Sequence, residues 1–383
     1  MKIAISGGGI AGLSMAIYLT SSHHEVTIFE KSKEFRSQGY GLSIKSFGID
    51  ILKSFGVFDE LKSKGLPVSS FNLYRENGSL LREIPSSVIE RMTGGAFPVA
   101  RADVHAVLYK IVRAQVPVIF GKSITHIEHL ANAERLTFND GTCDEFDLVI
   151  VAEGLRSATR KILFDDEGWY STDIKYMAAR VKRAHHFESG VAHTYKGLAK
   201  TISFFPVDDD DIVMQGYFKS KNVAHLPQDQ IRELIQKTYH HFTTDMTAIL
   251  NTLHEDDYIF YDSVAMIQLS RLVSERTVFI GDAGYSTTFL SGMGASLSLL
   301  GAKLLNEALQ QERAVKQSLK IFENKMIPIA RHFQQNAFEN MEKELPEKKS
   351  KLQLSNLITK FIPFSLMIKS VSNKLELKNL ANS

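Results

Sequence analysis

Cysteine is almost absent. The 383-residue chain has one, Cys143, so no internal disulfide can form. A thiolate-based zinc site or an iron–sulfur cluster, each needing several cysteines, is excluded as well. A lone thiol and no export signal point to a reducing cytoplasm. Charge of one sign is also lacking: 45 Lys and Arg face 43 Asp and Glu, a net charge of +2, which gives no electrostatic footprint for nucleic acid. No apolar run reaches the ~18 residues of a membrane span, so stable membrane insertion is not expected. The first twenty residues imitate a signal peptide, with Lys2 ahead of an apolar stretch to Leu19. Gly7, Gly8, Gly9 and Gly12 interrupt that stretch where an export helix would be continuous. The adjacent pairs His23-His24, His185-His186 and His240-His241 lack the i, i+4 spacing of a metal site, and no metal is expected. What remains is an ordinary globular composition, 44% hydrophobic and 23% charged. At ~150 residues per domain its length predicts two or three domains.

The pattern along the chain is α/β. Lys2 to Ser6 reads as a buried strand, Ala11 to Thr20 as a helix and Glu25 to Glu30 as a second strand, a βαβ start. An amphipathic helix through Ile51, Leu52 and Phe55 stops near Gly56, and another runs from Val104 to Val112. The run Asp147 to Gly154 returns to the first sheet, as does Thr277 to Ala283, which leads into a long helix from Gly294 to Leu309. Between them the strands lengthen (TISFFPV, DIVMQGYF), with one helix near Gln228 to Tyr239. The first domain is therefore expected to be discontinuous, comprising 1–70, 98–165 and 277–345. A sheet-based second domain takes 71–97 and 166–276. Helical periodicity from Val315 to Glu344 resumes from Leu352 to Leu377, with Pro346 between and Pro363 within. The extension 346–383 is expected to dock across both domains. Its apolar residues Leu354, Leu357, Phe361 and Met367, edged by Lys360 and Lys369, also allow a membrane-surface helix.

Three glycines carry the first motif. Gly7, Gly9 and Gly12 form G-x-G-x-x-G between a strand and a helix, and Glu30 lies eighteen residues beyond, at the end of the next strand. Gly7 suits a tight turn, Gly9 a close approach of backbone to a pyrophosphate, and Gly12 close packing of helix on strand. The helix start at Ile10 and Ala11 would face the anion, and Glu30 could accept hydrogen bonds from ribose hydroxyls. A second turn, GDAGYSTTFLSGMGAS, follows an apolar strand. Gly281 and Asp282 open it, with the carboxylate suited to polyol hydroxyls, and Gly292, Met293, Gly294 and Ala295 present backbone N–H groups at a helix start, where negative charge is stabilised. A reduced flavin carries such charge. On the second domain's strands, Phe204, Phe205, Met214 and Tyr217 could line a cavity or simply pack.

Taken in order, GGGIAGLSMA…FEK, ARADVHAVL, DLVIVAEGLRSATR and GDA…GMG resemble the class A FAD-dependent monooxygenases of the para-hydroxybenzoate hydroxylase fold, over most of the chain. The resemblance implies a Rossmann-like FAD-binding domain, a sheet-based substrate domain and a C-terminal helical extension. It implies FAD as resident cofactor, NADPH or NADH as transient reductant, O₂ as co-substrate, and hydroxylation of an aromatic or polyketide small molecule through a flavin C4a-hydroperoxide. It brings Lys31, Arg36, Ser43, Arg101 and Glu153 into the cofactor set and Phe289 into the substrate wall. The cofactor carries the chemistry, so no protein acid or base is named. Four positions depart from the family: Glu153 stands for its Asp, Tyr285 for its His, Phe289 for its Pro and Ser296 for its Asn. The tyrosine form, with the extra C-terminal helix, is similar to the tetracycline destructases. A monomer is expected. The rival readings are another flavin oxidoreductase on this fold and a flavin-binding protein without turnover.

Overall fold

In the computed structural model, placement is described for all residues except 22–23, 36–40, 183–186, 222–225, 244–245, 252, 254–256, 313 and 376–383, and for 374 and 375 only the backbone is described. The βαβ start forms as read. Strand Lys2–Ser6 pairs in parallel with Glu25–Glu30 on one side and Leu148–Val151 on the other. Thr277–Phe279 and Val118–Phe120 extend this parallel sheet, and Val273–Ser274 closes one edge antiparallel. A strand at the middle of a parallel sheet is covered on both faces, which is why its sequence is apolar without alternation. Ile3, Ala4 and Ile5 are fully buried, as are Leu148 to Val151. Helices Ile10–Thr20 and Gly294–Gln311 pack together over this sheet, and Arg101–Val112 packs against the first of them. Each fully buried Leu, Ile or Met at this interface contributes roughly 1.5–3 kcal/mol.

The second sheet has seven strands in the order Phe260–Ile267, Trp169–Lys182, Asp211–Lys219, Lys200–Pro206, Val191–Gly197, Ser70–Arg75, Leu80–Pro85. The last two come from the weakly alternating segment after residue 70. One sheet face is covered by Gln228–Tyr239 and Met246–Leu250, where Phe204, Met214, Ile235, Tyr239 and Phe242 form a core of their own. The opposite face looks toward the first sheet.

Two elements join these layers. A two-stranded antiparallel pair, Gly41–Ile44 with Phe97–Ala100, lies beside the cavity between the sheets. The helix Val315–Glu344 buries Leu319, Phe322, Met326 and Phe333 in the first core, then Ala337 and Met341 against Ile174, Val264 and Met266 of the second sheet. Bridging, expected of residues 346–383, thus falls to the helix before them. The extension forms two helices, Lys349–Phe361 and Phe364–Leu375, broken at Pro363. It lies on the outer edge of the second sheet: Phe364, Met367, Ile368 and Val371 pack on Ile84, Val88 and Met92, the last two from the helix Ser86–Thr93. Met367 therefore faces inward, not outward with Leu354 and Leu357.

Candidate active site

The G-x-G-x-x-G turn is built by contact with the returning strand. Gly7 has φ +107°, and a Cβ there would stand 2.4 Å from the Ala152 carbonyl oxygen, so both backbone and space demand glycine. A Cβ on Gly12 would meet the Gly7 carbonyl at 2.0 Å, which fixes the close seat of the helix. Gly9 is different: nothing lies within 4 Å of its Cβ position, and it borders two cavities. Ile10 and Ala11 begin the helix at this opening, with no side chain capping it.

The smaller cavity, about 310 Å³, is walled by Gly8, Gly9, Glu30, Lys31, Arg101 and an aromatic group. Phe35 stacks on Tyr109 at 4.2 Å and on His105 at 4.6 Å, a surface fit for a planar base. The Glu30 carboxylate accepts the Gly8 and Ser32 N–H groups at 2.8 and 2.9 Å. A carboxylate has about four acceptor positions, so two remain for ribose hydroxyls. His105 Nε2 donates to the Gly8 carbonyl at 2.6 Å, pinning the turn.

The larger cavity, about 390 Å³, lies between the two sheets. One wall is Gly9, Ile10, Ala11, Ser43, Lys45, Arg101, Asp282, Gly292, Gly294 and Ala295. The other is Tyr176, Phe205, Val213, Gln215 and Phe289. The helix Gly294–Gln311 opens here without a side-chain cap, so its first N–H groups present partial positive charge to the cavity. Burial pushes the Asp282 carboxyl up, opposed by the Arg101 charge and a hydrogen bond from Ser286. Lys45 was not singled out by the sequence. It is half-buried, burial holds its pKa below the ordinary lysine value, and no ion pair of its Nζ occurs among the described residues. Gly292 has φ +60°, which favours glycine, and the Lys45 ammonium lies over it, 2.2 Å from where a Cβ would stand.

A site with an open glycine at its centre, an acid for a ribose, an aromatic base wall, an uncapped helix start and a half-buried cation fits a dinucleotide carrying a flavin. Gly9 and Arg101 border both cavities; Glu30 and Lys31 border the smaller one, and Ile10, Ala11, Ser43, Asp282, Gly292, Gly294 and Ala295 the larger. Gly7, Gly12, Gly281 and Met293 act behind them: the first two shape the turn, Gly281 (φ +62°) packs on Ala11, and Met293 is buried as the residue preceding the helix. Arg36 lies outside the described residues.

Glu153 needs correction. Its carboxylate accepts hydrogen bonds from Ser6 Oγ (2.5 Å), Ser157 Oγ (2.6 Å), Thr159 Oγ1 (2.6 Å) and the Thr159 N–H (3.0 Å). The longer side chain is spent inside the protein, tying the first strand to the helix Ala158–Phe164, and does not border either cavity. Tyr285 is buried with its hydroxyl in the space left by Gly301, where a Cβ would come within 1.7 Å, so it packs in the core rather than facing a ligand.

Phe204 and Met214 also need correction. They are direct cross-strand partners, both buried under the helices on the far face. Their neighbours Phe205 and Val213 form the next pair and face the cavity, because successive strand residues point to opposite faces. Tyr217 is on the cavity side but stands behind Phe289, with ring centroids 5.1 Å apart, and its hydroxyl donates to Glu344. Phe289 does border the cavity and packs against Tyr176, ring centroids 4.7 Å apart and tilted by 44°.

Comparison with known proteins agrees with this geometry. Residues 1–337 match the family described as an FAD binding domain. The FAD-dependent monooxygenase asL6 of Sarocladium schorii is 25% identical over 333 residues, 80% of this chain and 79% of its own. The tetracycline destructase Tet(51) superposes with a TM-score of 0.79 at 23% identity over 99% of each chain. Klebsiella pneumoniae HpxO, solved with FAD and uric acid, gives 0.87 at 22% identity, covering 98% of this chain and 96% of its own. With a family match across most of its length and a cleft built for the cofactor, this chain belongs to the FAD-binding family and is a class A FAD-dependent monooxygenase, similar in fold to the tetracycline destructases.

Proposed function

We propose that the chain uses NADPH or NADH and O₂ to hydroxylate a polycyclic aromatic or polyketide substrate, with tetracycline the leading named candidate. One observation carries this reading: the larger cavity joins the glycine turn and the uncapped helix start on one side to an aromatic wall with a single amide, Gln215, on the other. Flat apolar walls with few polar groups select a planar, hydrophobic molecule, and the amide fixes its orientation.

FAD, when bound, supplies the electron transfer and oxygen chemistry. The chain's residues do the rest. Glu30 and the Phe35, His105 and Tyr109 surface hold the nucleotide end, while Gly9 lets the backbone approach its diphosphate. Asp282 and Arg101 hold the polyol linker. The first N–H groups of Gly294–Gln311 and the Lys45 ammonium stabilise negative charge at the cleft floor, where preorganised dipoles act strongly because water is scarce. Tyr176, Phe205, Val213 and Phe289 exclude water and position the substrate.

The proposed division of labour follows the sheets: 1–70, 98–165 and 277–345 bind cofactor, with Phe289 reaching to the substrate wall, and 71–97 with 166–276 bind substrate. A single, free cysteine agrees with a reducing cytoplasm, and the proposed state is a monomer. The test is NADPH oxidation by the purified protein in air, with and without tetracycline, and the product mass from the same tube. Stimulated oxidation with a product heavier by one oxygen, labelled when ¹⁸O₂ is supplied, supports the proposal. A yellow protein whose rate and product are untouched by tetracycline redirects the search to other phenols and polyketides. Turnover of those without label in the product would favour an oxidoreductase that does not insert oxygen.

A further inference from the structure

The helix Lys349–Phe361 buries none of its residues, yet it is rich in large apolar side chains. Leu354, Leu357, Ile358 and Phe361 are 57%, 57%, 52% and 67% exposed. At 100° per residue these four recur at i, i+3, i+4 and i+7, so they share one stripe along the helix. The face turned toward the protein carries Leu352, Ser355, Asn356 and Thr359, all half-buried. The usual arrangement is inverted: the apolar stripe points to solvent and the mostly polar one to the protein.

The same spacing places Lys351 along one border of the stripe and Lys349 and Lys360 along the other. Between Lys348 and Asn373 there are five lysines and no aspartate or glutamate. The elbow between the two helices is held rigidly. Arg82 Nη1 donates to the carbonyls of Thr359 (2.8 Å) and Ile362 (2.6 Å), and its guanidinium lies 4.1 Å from the Phe364 ring. Beyond the elbow, Leu366 is 55% exposed while Phe364, Met367, Ile368 and Val371 anchor the helix to the sheet edge. The apolar stripe is therefore presented from a docked platform.

We propose that this face adsorbs to an anionic lipid surface, the apolar stripe entering the headgroup region while the bordering lysines meet lipid phosphates. An exposed apolar stripe edged by long cationic side chains suits an interface between apolar chains and negative headgroups, because the lysine stems lie along the apolar boundary with their ammonium groups in water. A second copy of the chain suits it poorly, since pairing the faces would bring two sets of lysines together with no acid between them. The chain carries no helix long and apolar enough to cross a membrane among its described residues, so attachment would be peripheral and reversible.

The test uses the full-length, FAD-loaded protein sedimented with phosphatidylcholine vesicles, with and without phosphatidylglycerol. The protein should pellet with the anionic vesicles, release as salt is raised, and stay in solution with phosphatidylcholine alone. The double variant L357D/F361D should lower the bound fraction at least tenfold, and K351E/K360E should lower it and flatten the salt dependence. All four side chains face solvent, so flavin content and Tm should match the native protein, and these two readings show that the variants are folded. Native protein left in the supernatant with anionic vesicles, or L357D/F361D pelleting as well as native, overturns the proposal. So does a native dimer in sedimentation velocity that L357D/F361D converts to monomer, which would assign the face to self-association.

Discussion

The two walls of the cleft are made in different ways. On the proposed cofactor side the backbone is prominent, through glycines and uncapped helix starts, joined by side chains such as Glu30 and Asp282. On the substrate side, recognition falls to side chains on a twisted sheet, where residue parity decides which ones face the ligand. The first kind of wall is written in spacing that survives in a linear sequence. The second depends on which face of a strand is covered, and that is a property of elements distant in the chain.

Phe204 and Phe205 put this contrast to its largest test. Phe204 is fully buried in the core beneath Gln228–Tyr239, whereas Phe205 borders the cleft. Phe204→Ala should cost about 3–5 kcal/mol of stability, as large-to-small changes in a core do, and leave KM near native in whatever protein remains folded. Phe205→Ala should do the reverse, raising KM severalfold with little change in Tm. Denaturant melts and steady-state kinetics on both variants decide it. Equal effects on stability and KM in the two variants would erase the distinction between the faces.

The cofactor wall can be probed at Asp282. Asp282→Ala should lower FAD affinity by about ten- to a hundredfold, the size expected for losing about 1.5–3 kcal/mol of charge-assisted hydrogen bonding, read as flavin retained after dialysis. The flavin-free protein carries the opposite sign. Burial raises the folded carboxyl above its ordinary 3.8, so the folded state keeps a proton that the unfolded state has lost. That contribution is present at low pH and is lost as pH rises from 3.8 through the raised value. The native flavin-free chain should therefore lose Tm relative to Asp282→Ala across that window. Parallel Tm profiles for the two would remove Asp282 as a buried acid.

Much of the proposed cofactor wall was legible, in that its residues border the cavities. The glycine turn, Glu30, Asp282 and the helix start at Gly294 were all identified from spacing, and the parallel sheet and long helices formed close to their expected bounds. Lys45 was missed because its signal is geometric: it becomes an enclosed cation only when Gly292, almost 250 residues later, leaves room for it. The aromatic base wall at Phe35, His105 and Tyr109 was missed for a similar reason, since it joins a loop to one side of a helix. Phe204 and Met214 were misjudged because alternation marks two faces without saying which one a helix will cover. The outward stripe at Leu354 to Phe361 was visible as periodicity, but its direction was not.

Lys45 gives a smaller, two-signed prediction. An ammonium held in a cleft with its pKa lowered by burial destabilises the empty protein. Lys45→Met should raise Tm of the flavin-free chain while making bound flavin harder to reduce. A shift of about 30 mV to lower potential, equal to tenfold in a two-electron equilibrium, is the expected scale. Photoreduction against a dye of known potential measures it. An unchanged potential with a raised Tm would reduce Lys45 to a packing liability.

The smallest effect is expected at Glu153, where the two walls meet the fold that supports them. Its carboxylate gathers three hydroxyls and one backbone N–H and faces neither cavity. Glu153→Gln keeps one acceptor oxygen and replaces the other with an NH₂ group. The hydroxyls of Ser6, Ser157 and Thr159 can rotate to accept from it, but the Thr159 N–H cannot. With the oxygen kept toward the Thr159 N–H all four contacts can persist, so the loss should be that of charge assistance, about 1 kcal/mol, seen as a modest fall in Tm. FAD affinity should stay within twofold of native, because the group is occupied inside the chain. Glu153→Asp, which restores the shorter acid, should lower Tm further, since its carboxylate is too short to reach both Ser6 and Thr159. If Glu153→Gln instead sheds flavin while Tm is unchanged, the carboxylate serves the cofactor directly and the backbone-built wall has one more side chain in it than the geometry assigns.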